Sequence, residues 1–374
     1  MGCFASKTDD ASKPKSTKPS QPQNDTPEPA ATPQASTPND NSIKITPGEF
    51  DDHDIKILTL GAGECGKSTI WRQLKLIYCG GFSEEERMAM KSVININLIY
   101  DIKALIDAQK RNGQSVAAEL SGCIDDISSL QLNEDELIPE IAQEIKQIWN
   151  DPIMKVTYKE NNSIGIGDNA AYFFDKVEQI AQQDYVPTNE DLLKSRIRTT
   201  GISDINFFID NNIKTQLVDV GGQKSERARW PRCFQGVNFL LFVVSLSDFD
   251  QCMFEDEATT RTDDSKELFG SIANSEVFKN KPIFLVLNKV DVFKAKLENH
   301  PEKFQQAYSD FRGDTSNPDE CIEHVKQTFL SELKPDRAES AWVQVIPTCA
   351  MEEQSIRNLF QIVAQKVVEF HRQQ

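Results

Sequence analysis

The stretch GAGECGKST, Gly61-Ala62-Gly63-Glu64-Cys65-Gly66-Lys67-Ser68-Thr69, follows the apolar run DIKILTL and precedes IWRQLKLIY. A buried strand that ends in a glycine-rich turn and opens a helix leaves several backbone N–H groups pointing at one spot, which favours an anion. The residues fit G-x-x-x-x-G-K-[ST]. In that motif main-chain amides wrap the α- and β-phosphates of a nucleotide, Lys67 reaches the β/γ oxygens and Ser68 holds Mg2+. A glycine turn that merely caps a helix is the plainer alternative. The place of the motif, after a predicted strand and before a predicted helix, weighs against it.

Outward from this turn the chain carries five β-rich runs at long intervals: DIKILTLG, TQLVDVGG, NFLLFVVSL, PIFLVLNKVD and WVQVIPTCA. Near-continuous apolar strands covered by helices on both faces mark a parallel α/β sheet. DINFFID and IKTQLVDV meet across Asn211 and Asn212, a turn that adds one antiparallel edge strand and brings the expected sheet to six strands, mostly parallel. Ile356, Leu359, Val363, Val367 and Phe370 form one stripe of a closing helix. Between the helix that runs roughly from Gly66 to Tyr78 and Arg196 lies an insertion far longer than an ordinary βα connection. Ser83 with Glu86 reads as a capping box, and Ile94, Leu98, Ile102 and Leu105 follow at helical spacing. ELIPEIAQEIKQIW and NAAYFFDKVEQIA are helical as well, so the insert is an all-α domain.

A net charge of −17 argues against nucleic acid as a partner, because its phosphates need a basic surface, and against unaided adsorption to an anionic leaflet. The 8 cysteines form no CxxC pairs and have no histidines at metal spacing, which fits a reducing, cytosolic setting better than a zinc site or a disulfide framework. No apolar run is long enough to span a bilayer, and the N-terminus lacks the apolar core of a secretory signal. Residues 7–50 hold Pro14, Pro19, Pro22, Pro27, Pro29, Pro33, Pro38 and Pro47 and almost no aliphatic residue besides Ile43 and Ile45. Such a segment does not offset the entropy of ordering itself. MGCFAS fits M-G-x-x-x-[ST], so Gly2 is a myristoylation candidate and Cys3 a palmitoylation candidate. The expected organisation is a disordered, lipid-anchored tether over 1–50, an α/β domain that carries the glycine-rich loop over 51–80 and 194–374, and the helical insert over 81–193.

Three more stretches carry chemistry. LVDVGGQ places Asp219 at the end of a buried strand, where a carboxylate can meet Mg2+ through a water. Gly221 and Gly222 let the backbone approach a γ-phosphate, and Gln223 could orient an attacking water. Alone, DVGGQ is also a common turn. Asn288, Lys289 and Asp291 form N-K-x-D at the end of another apolar strand, the edge where ligands sit in open α/β sheets. Asp291 offers two acceptor oxygens that match the N1–H and N2–H2 donors of guanine, a pair adenine lacks. Asn288 could bond the N7/O6 edge, and the Lys289 stem could lie over the ring. In RIRTTGISD the Thr199 hydroxyl could be a second Mg2+ ligand, and the Arg196 guanidinium could neutralise charge building on a transferring phosphoryl group.

With these motifs assembled, the sequence resembles a heterotrimeric G-protein alpha subunit from about Asp54 to the C-terminus. The resemblance implies a Ras-like P-loop GTPase domain with an inserted helical domain, binding GTP with Mg2+ and hydrolysing it to GDP. It makes Gly61 to Thr69 the phosphate loop, Arg196 to Gly201 switch I, with Leu193, Lys194 and Ser195 on the nucleotide ahead of it, and Asp219 to Trp230 switch II. Cys349 and Ala350 of the Thr348 to Ala350 loop complete guanine recognition, and Asp168 and Asn169 face the nucleotide cleft from the helical domain. Arg196 becomes the arginine finger supplied in cis, Gln223 the water-positioning residue, and Ser68 and Thr199 the metal ligands.

The resemblance also implies a heptahelical receptor, an effector that the sequence does not name, a beta-gamma dimer and the cytoplasmic face of the plasma membrane. Several residues depart from the family. The tether stands where an amphipathic N-terminal helix usually docks beta-gamma, although Trp230, Cys233 and Phe234 still resemble the switch II contact surface. The C-terminal EFHRQQ is shorter than the family's and lacks its apolar tip, which bears on receptor coupling. Lys224 replaces a common arginine and Val290 a frequent lysine. Cys65 stands where serine is usual. A thiol at a helix N-terminus beside Lys67 could have a lowered pKa and react when nucleotide is absent, but the plainer reading of an inert small side chain is preferred. Two rival functions remain: a P-loop kinase, which has no need of N-K-x-D, and a scaffold that binds GTP without turnover.

Overall fold

The computed structural model describes residues 42–373 apart from 114, 132–136, 161–164, 198, 254–258, 336 and 338–341. Its sheet is built from β1 (Ile45–Pro47), β2 (Ile55–Leu60), β3 (Ile202–Ile209), β4 (Ile213–Val220), β5 (Phe239–Ser245), β6 (Ile283–Asn288) and β7 (Val343–Pro347). The spatial order is β1-β3-β4-β2-β5-β6-β7. The pairs β2/β4, β2/β5, β5/β6 and β6/β7 are parallel. β5 and β6 are buried along their whole length, as expected of central strands covered on both faces. Alternate residues serve the two sides. Leu240, Phe242 and Val244 pack with Phe269, Phe293 and Phe329, while Phe239, Leu241 and Val243 pack with Ile70 and Leu74 and with Ile356, Leu359, Val363 and Val367 of the closing helix Glu353–His371.

Among the described residues the sheet has seven strands, one more than the six expected, and the additional one lies inside the segment expected to be tether. β1 pairs antiparallel to β3, with Ile45 opposite Ile209. The two aliphatic residues of that proline-rich stretch explain the difference: Ile43 and Ile45 pack against the core under the closing helix. Ile43 N–H donates to Gln361 Oε1 at 2.8 Å, and Gln361 Nε2 donates back to Ile43 O at 2.9 Å. Phe50 meets Phe208 edge-on at 5.4 Å. Pro47 is tolerated because an edge strand leaves one side without a ladder. The rest of the expected tether, residues 1–41 with Gly2 and Cys3, lies outside the described residues.

The β3–β4 hairpin forms as expected, with Asp210 and Asn211 at positive φ. Helix α1 (Lys67–Tyr78) leaves the phosphate loop, and α2 (Glu84–Arg111) opens the insert with the reciprocal Ser83/Glu86 cap. Every element from there to helix Asn189–Lys194 is helical among the described residues. The insert has its own core, in which Ile94, Leu98 and Ile102 meet Ile145, Ile148 and Phe174. The ends of β2, β4, β5, β6 and β7 therefore deliver five loops to one rim of the sheet, and the insert returns the chain to that rim through Arg196.

At the exit of the insert Asp191 is fully buried. Its carboxylate accepts from Lys176 Nζ at 2.7 and 2.9 Å, Tyr172 OH at 2.7 Å, Tyr185 OH at 2.8 Å and Thr188 N–H at 2.7 Å. Burial alone would raise its pKa, but these donors outweigh burial and hold it at about 2 against an ordinary 3.8. A carboxylate depressed on folding contributes stability that is present above its unfolded value and lost as pH falls through the folded one. Asp191→Asn is therefore expected to be less stable than wild type at pH 7, with the gap closing between about pH 4 and pH 2. Denaturant titrations across that window check this, and a gap independent of pH would refute it.

Candidate functional site

The phosphate loop takes its shape from backbone that ordinary side chains resist. Gly66 has φ +98, and a Cβ there would run into Asn288 Nδ2. Lys67 turns its ammonium into the loop, donating to Gly61 O at 3.0 Å and Ala62 O at 2.6 Å. Gly222 of the β4 loop lies against the same carbonyls, for a Cβ on it would fall 2.6 Å from Gly61 O. Gln223 also reaches this loop, with its Nε2 2.8 Å from where a Cβ on Gly63 would stand. Gly66→Ala adds strain at positive φ and displaces the Asn288 amide. It is expected to weaken GDP binding by about tenfold to a hundredfold with the fold retained. Fluorescent-GDP titration measures this, and unchanged affinity would contradict it.

Three oxygens from separate segments converge beside Lys67. Ser68 Oγ lies 2.6 Å from Thr199 Oγ1 and donates to Asp219 Oδ2 at 2.8 Å. The other Asp219 oxygen, Oδ1, is buried and has no hydrogen-bond partner among the described residues. An all-oxygen set with an unsatisfied buried carboxylate oxygen fits a hard cation of the Mg2+ type. Burial pushes the Asp219 carboxyl up, against the pull of Lys67 and the Ser68 hydrogen bond, and a divalent charge would oppose that rise.

Arg196 is held rather than solvated. It pairs with Glu64 of the phosphate loop, and its Nη1 donates to Gly165 O at 2.6 Å. Glu64 also binds Arg261 Nη1 at 2.9 Å. Burial would raise the Glu64 carboxyl, but the charges of Arg196, Arg261 and Lys289 hold it below its usual range. Asp101 is buried close by, and burial pushes its carboxyl up to about 7 against the charge of Arg196. In switch II, Arg227 Nη1 binds Asp264 Oδ1 at 2.9 Å and Trp230 Nε1 donates to Gly221 O at 2.8 Å. Trp230 and Cys233 are buried in the core. Of the residues likened to a contact surface, Phe234 alone is partly exposed, and it packs on Phe278.

The Asn288–Asp291 end of the rim is braced. Asn288 is buried, its Nδ2 donating to Cys65 O at 2.9 Å and its Oδ1 accepting from Ala350 N–H at 3.0 Å. It ties the phosphate loop to the Thr348 to Ala350 loop instead of holding its whole amide for a base. Lys289 adopts φ +63 and pairs with exposed Asp168 at 2.7 Å and with buried Asp248 at 3.8 Å. The Lys289 charge holds Asp168 low. Asp291 is exposed in the first turn of helix Val290–Asn299. It faces Cys349, whose thiol burial and the Asp291 charge push up to about 11. Asn169 Nδ2 donates to Lys194 O at 3.1 Å, Lys194 pairs with Glu190 at 3.0 Å, and Leu193 and Ser195 are buried. Thr69 lies in the first turn of α1, its N–H on Gly66 O at 3.1 Å.

Cys65 does not show the lowered pKa that its place beside Lys67 could give. Its side chain is 1% exposed, its thiol donates to Ala62 O at 3.2 Å, and burial pushes its pKa up despite Lys67. Desolvation outweighs the nearby ammonium, which agrees with the plainer reading of a small buried side chain.

The G-protein alpha subunit profile matches residues 33–367. The chain belongs to the G-protein alpha subunit family. It is similar to a guanine nucleotide-binding protein subunit alpha-1 of Trichomonas vaginalis, 38% identical over 75% of this chain and 69% of that one. It is similar also to a G-protein complex alpha subunit of Aspergillus fumigatus, 36% identical over 82% and 85%, and to an alpha-4 subunit of Dictyostelium discoideum, 36% identical over 84% and 89%. G-protein alpha subunits bind guanine nucleotide and are GTPases, and this chain is one of them.

Within this alpha subunit the sequence motifs left several working residues unmarked. Arg261 carried a signal: a cation at the first position of helix Arg261–Ala273 opposes the helix dipole and calls for a partner, which is Glu64. Asp248 lies in an apolar run with nothing to single it out. Asn97 and Arg72 reach the switch I lead-in from α2 and α1, and only the folded chain brings them there.

Proposed function

We propose that this alpha subunit is a GTP-driven switch that binds GTP with Mg2+ and hydrolyses it to GDP at a membrane surface. The convergence of Ser68, Thr199 and Asp219 oxygens beside Lys67, with Arg196 and Gln223 adjoining the same loop, carries this reading. Ser68 and Thr199 would hold Mg2+, with Asp219 behind them, and the ion would supply charge neutralisation at the phosphate end of the site. The loop amides and Lys67 bind the phosphates, and Asp291 reads the guanine edge. Leu193 to Ser195 and Asp168 close the cleft from the insert side. Gln223 orients the attacking water, and Arg196 neutralises charge as it builds on the transferred phosphoryl group. Switch I, through Thr199, and switch II, through Gly222, meet at the phosphate end, so loss of the γ-phosphate releases both, and a partner reads the difference.

Acylation at Gly2 and Cys3 would tether the protein to the cytoplasmic face of the plasma membrane, since one acyl chain alone gives only marginal binding and the acidic body opposes it. No helix among the described residues is long and apolar enough to cross a membrane. A heptahelical receptor and an effector are the partners of this reading. Beta-gamma contact is weak in it, because Trp230 and Cys233 are buried. Single-turnover hydrolysis of GTP by the purified protein, with Mg2+ and with EDTA, is the test. Mg2+-dependent release of phosphate is expected, and tight GTP binding without release would favour the scaffold.

A further inference from the structure

The segment that carries Arg196 into the site leaves the end of helix Asn189–Lys194, and side chains from both domains hold the carbonyls there. Lys194 O accepts from Asn169 Nδ2 at 3.1 Å, and Arg196 O from Asn97 Nδ2 at 2.6 Å. The remaining grip comes from Arg72 Nη1, which donates to Leu192 O, to Ser195 O at 2.9 Å and to Ser195 Oγ at 3.3 Å. Arg72 is 5% exposed and belongs to α1, the helix that the phosphate loop opens. It stands four residues after Ser68, so the two side chains leave the same face one turn apart. Ser68 meets Thr199 at 2.6 Å, and Arg72 meets Ser195. Two anchors on one rigid helix thus grip the chain on either side of Arg196.

A purely architectural role explains Arg72 poorly. Its hydrogen bonds go to main-chain and hydroxyl oxygens of one short segment and not to a carboxylate. Burial lowers its pKa to about 10, with the Asp219 charge opposing, so it stays charged at neutral pH. Keeping a charge buried without a carboxylate in contact is costly, and an apolar side chain of similar length would fill the space without that cost. What an apolar residue lacks is the donors.

We propose that Arg72 is a positioning residue for hydrolysis, fixing the lead-in of switch I from the phosphate-loop helix so that the Arg196 guanidinium is presented to the transferring phosphoryl group. The proposal rests on the cis role assigned to Arg196 above. Arg72 itself touches neither phosphate nor metal in this scheme.

The test is a double-mutant cycle on single-turnover GTP hydrolysis, with each rate referred to the GTP bound at time zero. Arg72→Met is expected to slow hydrolysis about tenfold to a hundredfold, the range in which small displacements of a catalytic group are felt. Arg72→Lys, which still supplies donors to two carbonyls, is expected to restore most of the rate. In an Arg196→Ala background, Arg72→Met is expected to add less than about twofold, because the two residues act as one unit. An unchanged rate in Arg72→Met, or equal slowing in both backgrounds, overturns the proposal. Should Arg72→Met not bind GTP, Arg72→Gln enters the same cycle with the same readings. Arg196→Ala alone reports on the assignment beneath: if it hydrolyses at the wild-type rate, the cis role fails and the proposal falls with it, by a result distinct from the other two.

Discussion

Arg196→Ala is expected to slow single-turnover GTP hydrolysis by about 10²- to 10³-fold, the usual effect of removing one preorganised donor from a developing charge. Affinity for GDP should change far less, since the charge that Arg196 answers appears in the transition state. The resting partners of Arg196 set the cost of reaching that charge. The guanidinium is fixed between Glu64 and Gly165 O, and Glu64 keeps a second cation in Arg261. When Arg196 turns towards a phosphate, the Glu64 carboxylate is not left unpaired, so the move costs less than breaking an isolated ion pair. Gln223→Ala should slow hydrolysis in the same range through loss of water orientation. The measurement is phosphate release from preloaded protein, and a rate within about twofold of wild type for either variant would remove that residue from the chemistry.

Asp291→Ala is expected to weaken GDP and GTP alike. The guanine N1–H and N2–H2 each give a hydrogen bond to a carboxylate, about 1.5–3 kcal/mol apiece, so together they account for about 10²- to 10⁴-fold in Kd. Inosine diphosphate, which lacks the exocyclic amine, provides an internal control. Wild type should prefer GDP to it, and the variant should bind both alike. A preference for GDP that survives the substitution would mean that some other group reads the 2-amino position. Asn288 is not a substitute, because part of its amide is committed to Cys65 O and Ala350 N–H. Its replacement should loosen the loops that hold phosphate and base together, and lower affinity without changing selectivity.

The parts of this architecture that short stretches encode were legible before the fold was known. GAGECGKST, LVDVGGQ and NKVD each combine a strand end, a tight turn and a group with a defined chemical task, and the structure sets all three on one rim. The helical insert was legible too, because Ser83, Glu86 and the Ile94 to Leu105 spacing are local signals. What escaped was decided by distant partners. Ile43 and Ile45 looked like stray aliphatics in a proline-rich segment, and nothing nearby indicated that Gln361 would bond Ile43 at both backbone groups. The Cys65 thiol was judged by its neighbours in sequence, Gly66 and Lys67. Its pKa is set instead by complete burial in the packed loop. Glu64 occupied a variable position of the phosphate-loop motif, and the arginines that give it a role come from Arg196 and Arg261. Long-range pairing of this kind leaves no period in the sequence, apart from occasional local conflicts such as a cation opening a helix.

The proposed function depends on a single claim: that the loop amides take the phosphates and Asp291 selects the base. Displacement of fluorescent GDP from the wild-type protein by GTP and by ATP, in Mg2+ at neutral pH, tests that most directly. GTP is expected to compete at least about 10³-fold more effectively, because a site built to hydrogen-bond a donor rejects the analogue that lacks it. Comparable displacement by ATP would contradict the account.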